Sequence, residues 1–268
     1  MQHPDSDSPG SVPEVSVCVA SYRGAAYVRE QLESILAQLG PHDEVVVVDD
    51  ASPDDSVDVI RGIDDSRIRL IEQPVNRGYV RTFEHALLES RGDVVLLADQ
   101  DDVWAPGRVD AMRRALANAD VVAGNLDLLG EARPISGPLG IREWRLPRVG
   151  RRAPIRNALG VLGGVMPYFG CAMGFRRSFA HRVTPFPNWL YESHDLWLAL
   201  VGNLAGEMVH IDDVVTLRRL HDSNASPSQP RSIVHVLRSR LLVLRMIVAA
   251  RGRRGLSNLR SPQRKRGS

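Results

Sequence analysis

Four consecutive valines, Val45 to Val48, run directly into a pair of acids, Asp49 and Asp50. A row of β-branched residues leaves no polar face, so the segment reads as a strand covered on both sides, the habit of parallel sheets. Val15 to Ala20 (VSVCVA), Ile68 to Glu72 and Asp93 to Ala98 (DVVLLA) read as further strands. Helical spacing lies between them. Val28, Leu32, Ile35, Leu36 and Leu39 share one stripe of a helix over Tyr27 to Leu39, which Gly40 and Pro41 end. Val57 to Ile63 follows a cap at Ser52 to Asp55, Tyr79 to Ser90 follows the loop Asn76-Arg77-Gly78, and Val109 to Asn118 follows Pro106. Another short strand is expected over Asp120 to Ala123. Strands and helices alternating at these intervals predict an α/β fold, a mostly parallel central sheet flanked by helices.

The chain then becomes harder to read. From Leu126 to Met166 the periodicity fades and no element is assigned. Tyr168 to Phe175 (YFGCAMGF) reads as a strand, Trp189 to Gly202 as a helix, and Met208 to Ile211 and Val214 to Leu217 as strand pieces. No internal repeat is present. A chain of 268 residues, 43% hydrophobic and 25% charged, is ordinary for a globular protein with a sizeable core, which excludes collagen, long disorder and coiled coil. Its two cysteines, Cys18 and Cys171, exclude a disulfide scaffold and a four-cysteine zinc site. Nowhere do about 20 apolar residues follow one another, and the polar start lacks the pattern of a signal peptide, so a cytoplasmic protein is expected.

In open α/β sheets ligands sit beyond the carboxyl ends of the strands. Three polar clusters fall there: Ser21-Tyr22, Asp49-Asp50 and Asp99-Gln100-Asp101-Asp102. Asp49 and Asp50 alone also suit a helix cap. Three acids in one turn repel one another, and a divalent cation relieves that conflict. Hard oxygen ligands suit Mg²⁺ or Mn²⁺, ions often shared with substrate phosphates. The absence of G-x-x-x-x-G-K-[ST] excludes a P-loop ATPase, and the absence of G-x-G-x-x-G after the first strand argues against a dinucleotide dehydrogenase.

The blocks VSVCVASYRGAAYVREQLESILAQ, EVVVVDDASPDDS, NRGYVRTFEHAL and GDVVLLADQDDVW, in this order and spacing, resemble the inverting family-2 glycosyltransferases of the GT-A fold. DQDDVW and HDLWLAL look most like rhamnosyltransferase-type members that build bacterial cell-surface polysaccharide. The resemblance runs from Val15 to Asn224. It implies a nucleotide-diphosphate sugar donor, TDP- or UDP-linked, and a saccharide or lipid-linked acceptor. It also implies that Asp50 recognises the base, that Ala20, Ser21 and Tyr22 border base and ribose, and that Asp99 and Gln100 belong to the donor site. Asp101 would bind the metal, with Asp102 and His221 sharing that duty. Arg81 approaches the nucleotide or lies on a solvated helix face, and Gly170 lines the site. Asp195 matches the catalytic base. His194 stands where the family shows Glu, so His194, Glu192 and Arg219 are the acceptor candidates, with a structural histidine the plainer reading of His194. A nucleotidyltransferase would need a more glycine-rich first loop than Ser21-Tyr22-Arg23-Gly24. A non-catalytic sugar-nucleotide-binding module would be expected to lose the acids or the base.

Charge is segregated. Residues 227–268 hold ten arginines, one lysine and no acid, which leaves 23 basic and 32 acidic side chains and a net −9 on the rest of the chain, whose overall charge is +2. The expected organisation is a disordered lead over 1–14, a transferase domain over 15–226, and a basic amphipathic helix with an Arg-rich tail over 227–268. Such a helix, near Ser232 to Ala250, suits the surface of an anionic membrane, or packs on the domain or a second copy. Nucleic acid is not expected, since no aromatic residues interleave the arginines.

Overall fold

The computed structural model describes residues 14–131, 133–146, 153–221 and 233–253. The lead over 1–13, the segment Asp222 to Asn224 and the tail from residue 254 lie outside these. Strands β1 (Val15–Ser21), β2 (Glu44–Asp49), β3 (Ile68–Glu72), β4 (Val94–Asp99), β5 (Val103–Trp104), β6 (Val121–Leu128), β7 (Met173–Arg176) and β8 (Met208–Arg218) form one sheet in the order β3-β2-β1-β4-β7-β6-β8-β5. The first four are parallel, as are β6 and β8, whereas β7 runs antiparallel to both β4 and β6 and β5 runs antiparallel to β8. This is the expected α/β GT-A architecture, with β7 as a reversed strand wedged between two parallel groups.

Alternation along the buried strands sends side chains to two cores. Cys18, Val46, Val48, Val95 and Leu97 point to one face, where they join α3 (Tyr79–Glu89), α6 (Arg177–Val183), α7 (His194–Ala205) and α8 (Ile233–Arg253). Val15, Val17, Val19, Val45, Val47 and Leu96 point to the other, against α1 (Val28–Leu36) and α4 (Arg108–Leu116). The short α2 (Ser56–Arg61) precedes β3.

Several elements differ from the sequence expectation. The silent stretch before residue 166 contains α5 (Pro154–Gly163), opened by a proline in its first turn and closed by Gly164 at φ 75°. Those are a helix's own start and stop signals, set around a stripe too short to stand out. The two strand pieces near residue 210 are one strand, bulged opposite Asn125. The helix expected from Trp189 begins only at His194, after Ser193 at φ 59°. The basic helix α8 is docked: Leu242, Val243, Met246 and Ala250 are buried in the first core. Among the described residues no helix is long and apolar enough to cross a membrane.

Candidate active site

Register sets the site. Ser21 pairs with Asp49, and Ala20 pairs with Asp99, so the carboxyl ends of β1, β2 and β4 open side by side at the point where the strand order reverses. The Ser21 hydroxyl donates to the Asp49 carboxylate at 3.0 Å. Gln100 clamps the neighbouring strand end, accepting from the Tyr22 amide at 2.7 Å and donating to the Tyr22 carbonyl at 2.7 Å. The clamp demands glycine at position 24, where a Cβ would stand 2.3 Å from the Gln100 Oε1.

The acids converge. Asp99, Asp102 and Cys171 each place a ligand atom within 4.8 Å of the other two. Burial, then the charges of Asp102 and Asp101, push the Asp99 carboxyl up to about 8. Burial and the Asp101 charge push Asp102 up to about 6. Carboxylates whose ionisation is opposed by burial and by one another fit a hard cation. Asp101 turns to His221, whose Nε2 lies 2.8 Å from its Oδ2, and the imidazole stacks on Tyr27 at 4.8 Å between centroids. Arg219 donates its amide to Asp102 at 3.2 Å, its Nε to the Asp101 carbonyl at 3.1 Å, and pairs with Glu30. These contacts make it an organiser of the acid loop.

Two arginines unmarked by the sequence balance the acids. Arg108 is buried beneath them, donating to the carbonyls of Cys171 and Leu97 and to Thr216, over the Trp104 ring at 4.1 Å. Burial lowers its pKa to about 10, against the opposing pull of Cys171, Asp102 and Asp99. Arg218, at the end of β8, draws down both Asp99 and Asp102.

On the facing side, Asp195 lies in the first turn of α7, where the helix dipole favours negative charge, and accepts from the Leu196 amide at 2.8 Å. Tyr79 supports the start of α7 on this side. Its hydroxyl accepts from the Ser193 amide at 2.8 Å, and burial together with the charges of Asp195, Glu192 and Asp99 raises the phenol to about 12. Tyr79 begins α3, and nothing in its local sequence marks it for this place.

Other expected residues take supporting positions. The carboxylate of Asp50 is buried and committed to protein donors, accepting from the amides of Arg77 at 2.7 Å and Gly78 at 2.8 Å and from the Gln73 side chain at 3.2 Å. It thereby sets the loop that delivers Tyr79. Arg81 pairs with Glu84 and donates to the carbonyls of Phe186, Pro187 and Leu190, lashing α3 to the segment before α7, so it is held by the protein and is not a solvated helix-face residue. The His194 ring is turned inward, stacked on Phe83 at 4.4 Å, with both nitrogens lacking a hydrogen-bond partner. That is the structural histidine, not an acceptor contact. Gly170 makes room for it, since a Cβ there would stand 2.8 Å from the imidazole Nε2. Arg23, Ala51 and Ser193, the non-glycine residues at positive φ among those described, all flank this rim. Strained backbone gathers at functional sites.

Residues 16–183 match the family model for Glycosyl transferase family 2. The chain belongs to that family. It is 38% identical over 120 residues to a succinoglycan biosynthesis protein, ExoO, of Rhizobium meliloti, covering 44% of this chain and 34% of that one. It is 32% identical over 95 residues to the Escherichia coli UDP-Glc:alpha-D-GlcNAc-diphosphoundecaprenol beta-1,3-glucosyltransferase WfaP, covering 35% of this chain and 38% of that one. The match thus spans little more than a third of these relatives' length. Among solved structures, Staphylococcus aureus TarS 1-349 in complex with UDP-GlcNAc superposes with a TM-score of 0.64 at 17% identity, over 90% of this chain and 72% of that one. The glucosyl-3-phosphoglycerate synthase of Mycobacterium tuberculosis, solved with Mn2+, UDP and glucosyl-3-phosphoglycerate, gives 0.56 at 19% identity over 90% of this chain and 80% of that one. At these identities the structures establish a shared fold.

Proposed function

We propose that this chain transfers a sugar from a nucleoside-diphosphate donor to a hydroxyl of a saccharide or lipid-linked acceptor, with inversion, in the synthesis of cell-surface polysaccharide. The observation that carries the reading is the junction at Gly170-Cys171, where Asp195 stands 3.7 Å from the Cβ position of Gly170 and the next residue, Cys171, lies within 4.8 Å of Asp99 and Asp102. Family membership and the relatives' roles in polysaccharide assembly support it. The name of the E. coli relative gives UDP-glucose as donor and a diphosphoundecaprenol-linked sugar as acceptor, which favours a UDP-hexose over the rhamnosyl donor that DQDDVW and HDLWLAL suggest.

Asp195 takes the proton from the acceptor hydroxyl as its oxygen attacks the anomeric carbon, a contribution of typically ~10²–10⁴-fold. One carboxylate on the acceptor side and a direct displacement give inversion. Glu192 adds a second acid beside it for holding the acceptor. On the donor side, Ser21, Tyr22 and Gln100 fix the strand ends that border the base and ribose. Asp50 shapes the loop closing that side. Asp99 and Asp102, which converge with the Cys171 thiol, would hold a divalent Mg²⁺ or Mn²⁺, with Asp101 and His221, paired at 2.8 Å, as the further ligands that the family resemblance implies, and the manganese in the related synthase supports that choice. Such an ion supplies electrostatic neutralisation of a departing diphosphate.

The deciding experiment is a donor-hydrolysis and transfer screen across UDP- and TDP-sugars with Mg²⁺ or Mn²⁺, run on the wild type and Asp195→Asn. Transfer should fall by at least about a hundredfold in the variant, with donor affinity by calorimetry unchanged. Loss of nucleotide affinity would remove Asp195 from the role of base. Metal-dependent nucleotide binding with no turnover on any donor would favour the non-catalytic module.

A further inference from the structure

We propose that the outer face of α8 docks on an anionic lipid bilayer, with the helix lying in the headgroup plane. The helix is apolar on two opposite sides. One side, Leu242, Val243, Met246 and Ala250, is buried in the domain core. On the other, Leu237, Leu241, Leu244 and Val248 recur at steps of four, three and four residues, one continuous stripe at 3.6 residues per turn. Leu237, Leu241 and Val248 are 59, 67 and 72% exposed, against 9% or less for the inner face. Val234 extends the stripe by a turn and is 58% exposed.

Charge identifies what covers the stripe. At 100° per residue, Arg238 and Arg245 fall along one edge and Arg240 and Arg251 along the other, and the 21-residue helix contains no acid. An apolar stripe between two arginine rows matches acyl chains below and phosphate headgroups beside the helix, with long side chains reaching up to the charge. A second copy of the chain fits worse, because stripe-to-stripe packing would set arginine rows of one sign against each other. Nucleic acid would meet the arginines but leave the leucines without a partner. Beyond residue 253 the sequence adds four more arginines and a lysine, again without an acid.

Docking needs no rearrangement. Arg253 donates to the carbonyls of Arg182, Thr184 and Pro185 and fixes the inner face, while of the bordering arginines Arg245 rests 4.3 Å over the Trp189 ring, Arg240 lies 3.4 Å from the Gly163 carbonyl, and Arg238 and Arg251 are exposed beside the stripe. Trp189 belongs to the segment that runs into Ser193 and Asp195, which joins the docking helix to the acceptor side of the rim.

The test is co-sedimentation of the full chain with phosphatidylcholine vesicles and with phosphatidylcholine–phosphatidylglycerol vesicles, without sugar nucleotide, so that its outcome is independent of the catalytic reading. The wild type should bind the mixed vesicles, bind the neutral ones far more weakly, and release as salt rises. Leu237→Glu with Leu241→Glu should weaken binding by roughly tenfold or more. Arg238→Glu should weaken it by about fivefold or more, since one basic residue near an anionic surface contributes about that factor. All three positions are exposed, and unchanged circular dichroism melts would show that the variants fold. Binding that survives the double leucine variant would assign it to the tail alone and overturn the proposal. So would equal binding to neutral vesicles, or no vesicle binding together with a dimer that the double variant dissolves.

Discussion

His194 offers a sharp test of the packing beneath the site, because its cost is linked to pH with a definite sign. Desolvation by burial lowers the imidazole from an ordinary value near 6.5 to about 3. The unfolded chain therefore binds a proton below pH 6.5 that the folded chain refuses, and stability falls as pH drops through that window. Each unit is worth about 1.4 kcal/mol, so roughly 2 kcal/mol should be lost between pH 6.5 and 5. Asp99 and Asp102 act in the opposite sense, because their raised carboxyls hold protons in the folded state that the unfolded chain has released. A wild-type profile mixes these contributions, and a difference between wild type and variant separates them. His194→Leu removes the titration and the unpartnered ring nitrogens while keeping an apolar surface against Phe83. Urea unfolding at pH 7.5 should place the two proteins within about 1 kcal/mol of each other. At pH 5 the variant should be the more stable by about 2 kcal/mol. Parallel curves for the two proteins from pH 7.5 to 5 would refute a buried neutral imidazole.

Two further outcomes follow from the site. Asp101→Ala should weaken nucleotide binding by calorimetry when Mn²⁺ is present and leave metal-free binding unchanged; equal affinity in both conditions would remove Asp101 from the metal site. Asp50→Ala deprives three donors of a charged acceptor and should cost about 2–4 kcal/mol of stability in urea, whereas full stability with lost nucleotide affinity would return Asp50 to contact with the base.

What the sequence made legible was whatever is encoded locally. The valine run of β2, the apolar β1 and β4 and the acids that follow them placed the site rim, because a covered parallel strand leaves a signature in consecutive residues. Side-chain direction was not legible. His194 and Asp195 are neighbours, yet one faces Phe83 and the other the rim, a choice made by Ser193 in a left-handed conformation and by the missing Cβ of Gly170. Nor was long-range pairing. Arg219 meets Glu30 across 189 residues and Arg81 meets Pro187 across 106, so each resembles any exposed arginine until the chain closes. Arg108 was hidden at the first residue of a helix that looked ordinary, and β7 gave no sign of running backwards.

That reversal bears on how such a chain diversifies. Because β7 runs against β6, with Val121 opposite Phe175 and Ala123 opposite Met173, the connection between them leaves from and returns to the same rim. Chain can therefore be added to or removed from this connection without changing a single strand's neighbour, as long as Ala158 and Val161 keep their places in the core and Gly170 and Cys171 theirs beside His194 and the acids. The half of the sheet that ends in Asp49 and Asp99 would keep its shape while the border facing it was rebuilt, a route by which one scaffold acquires new recipients for the group it moves.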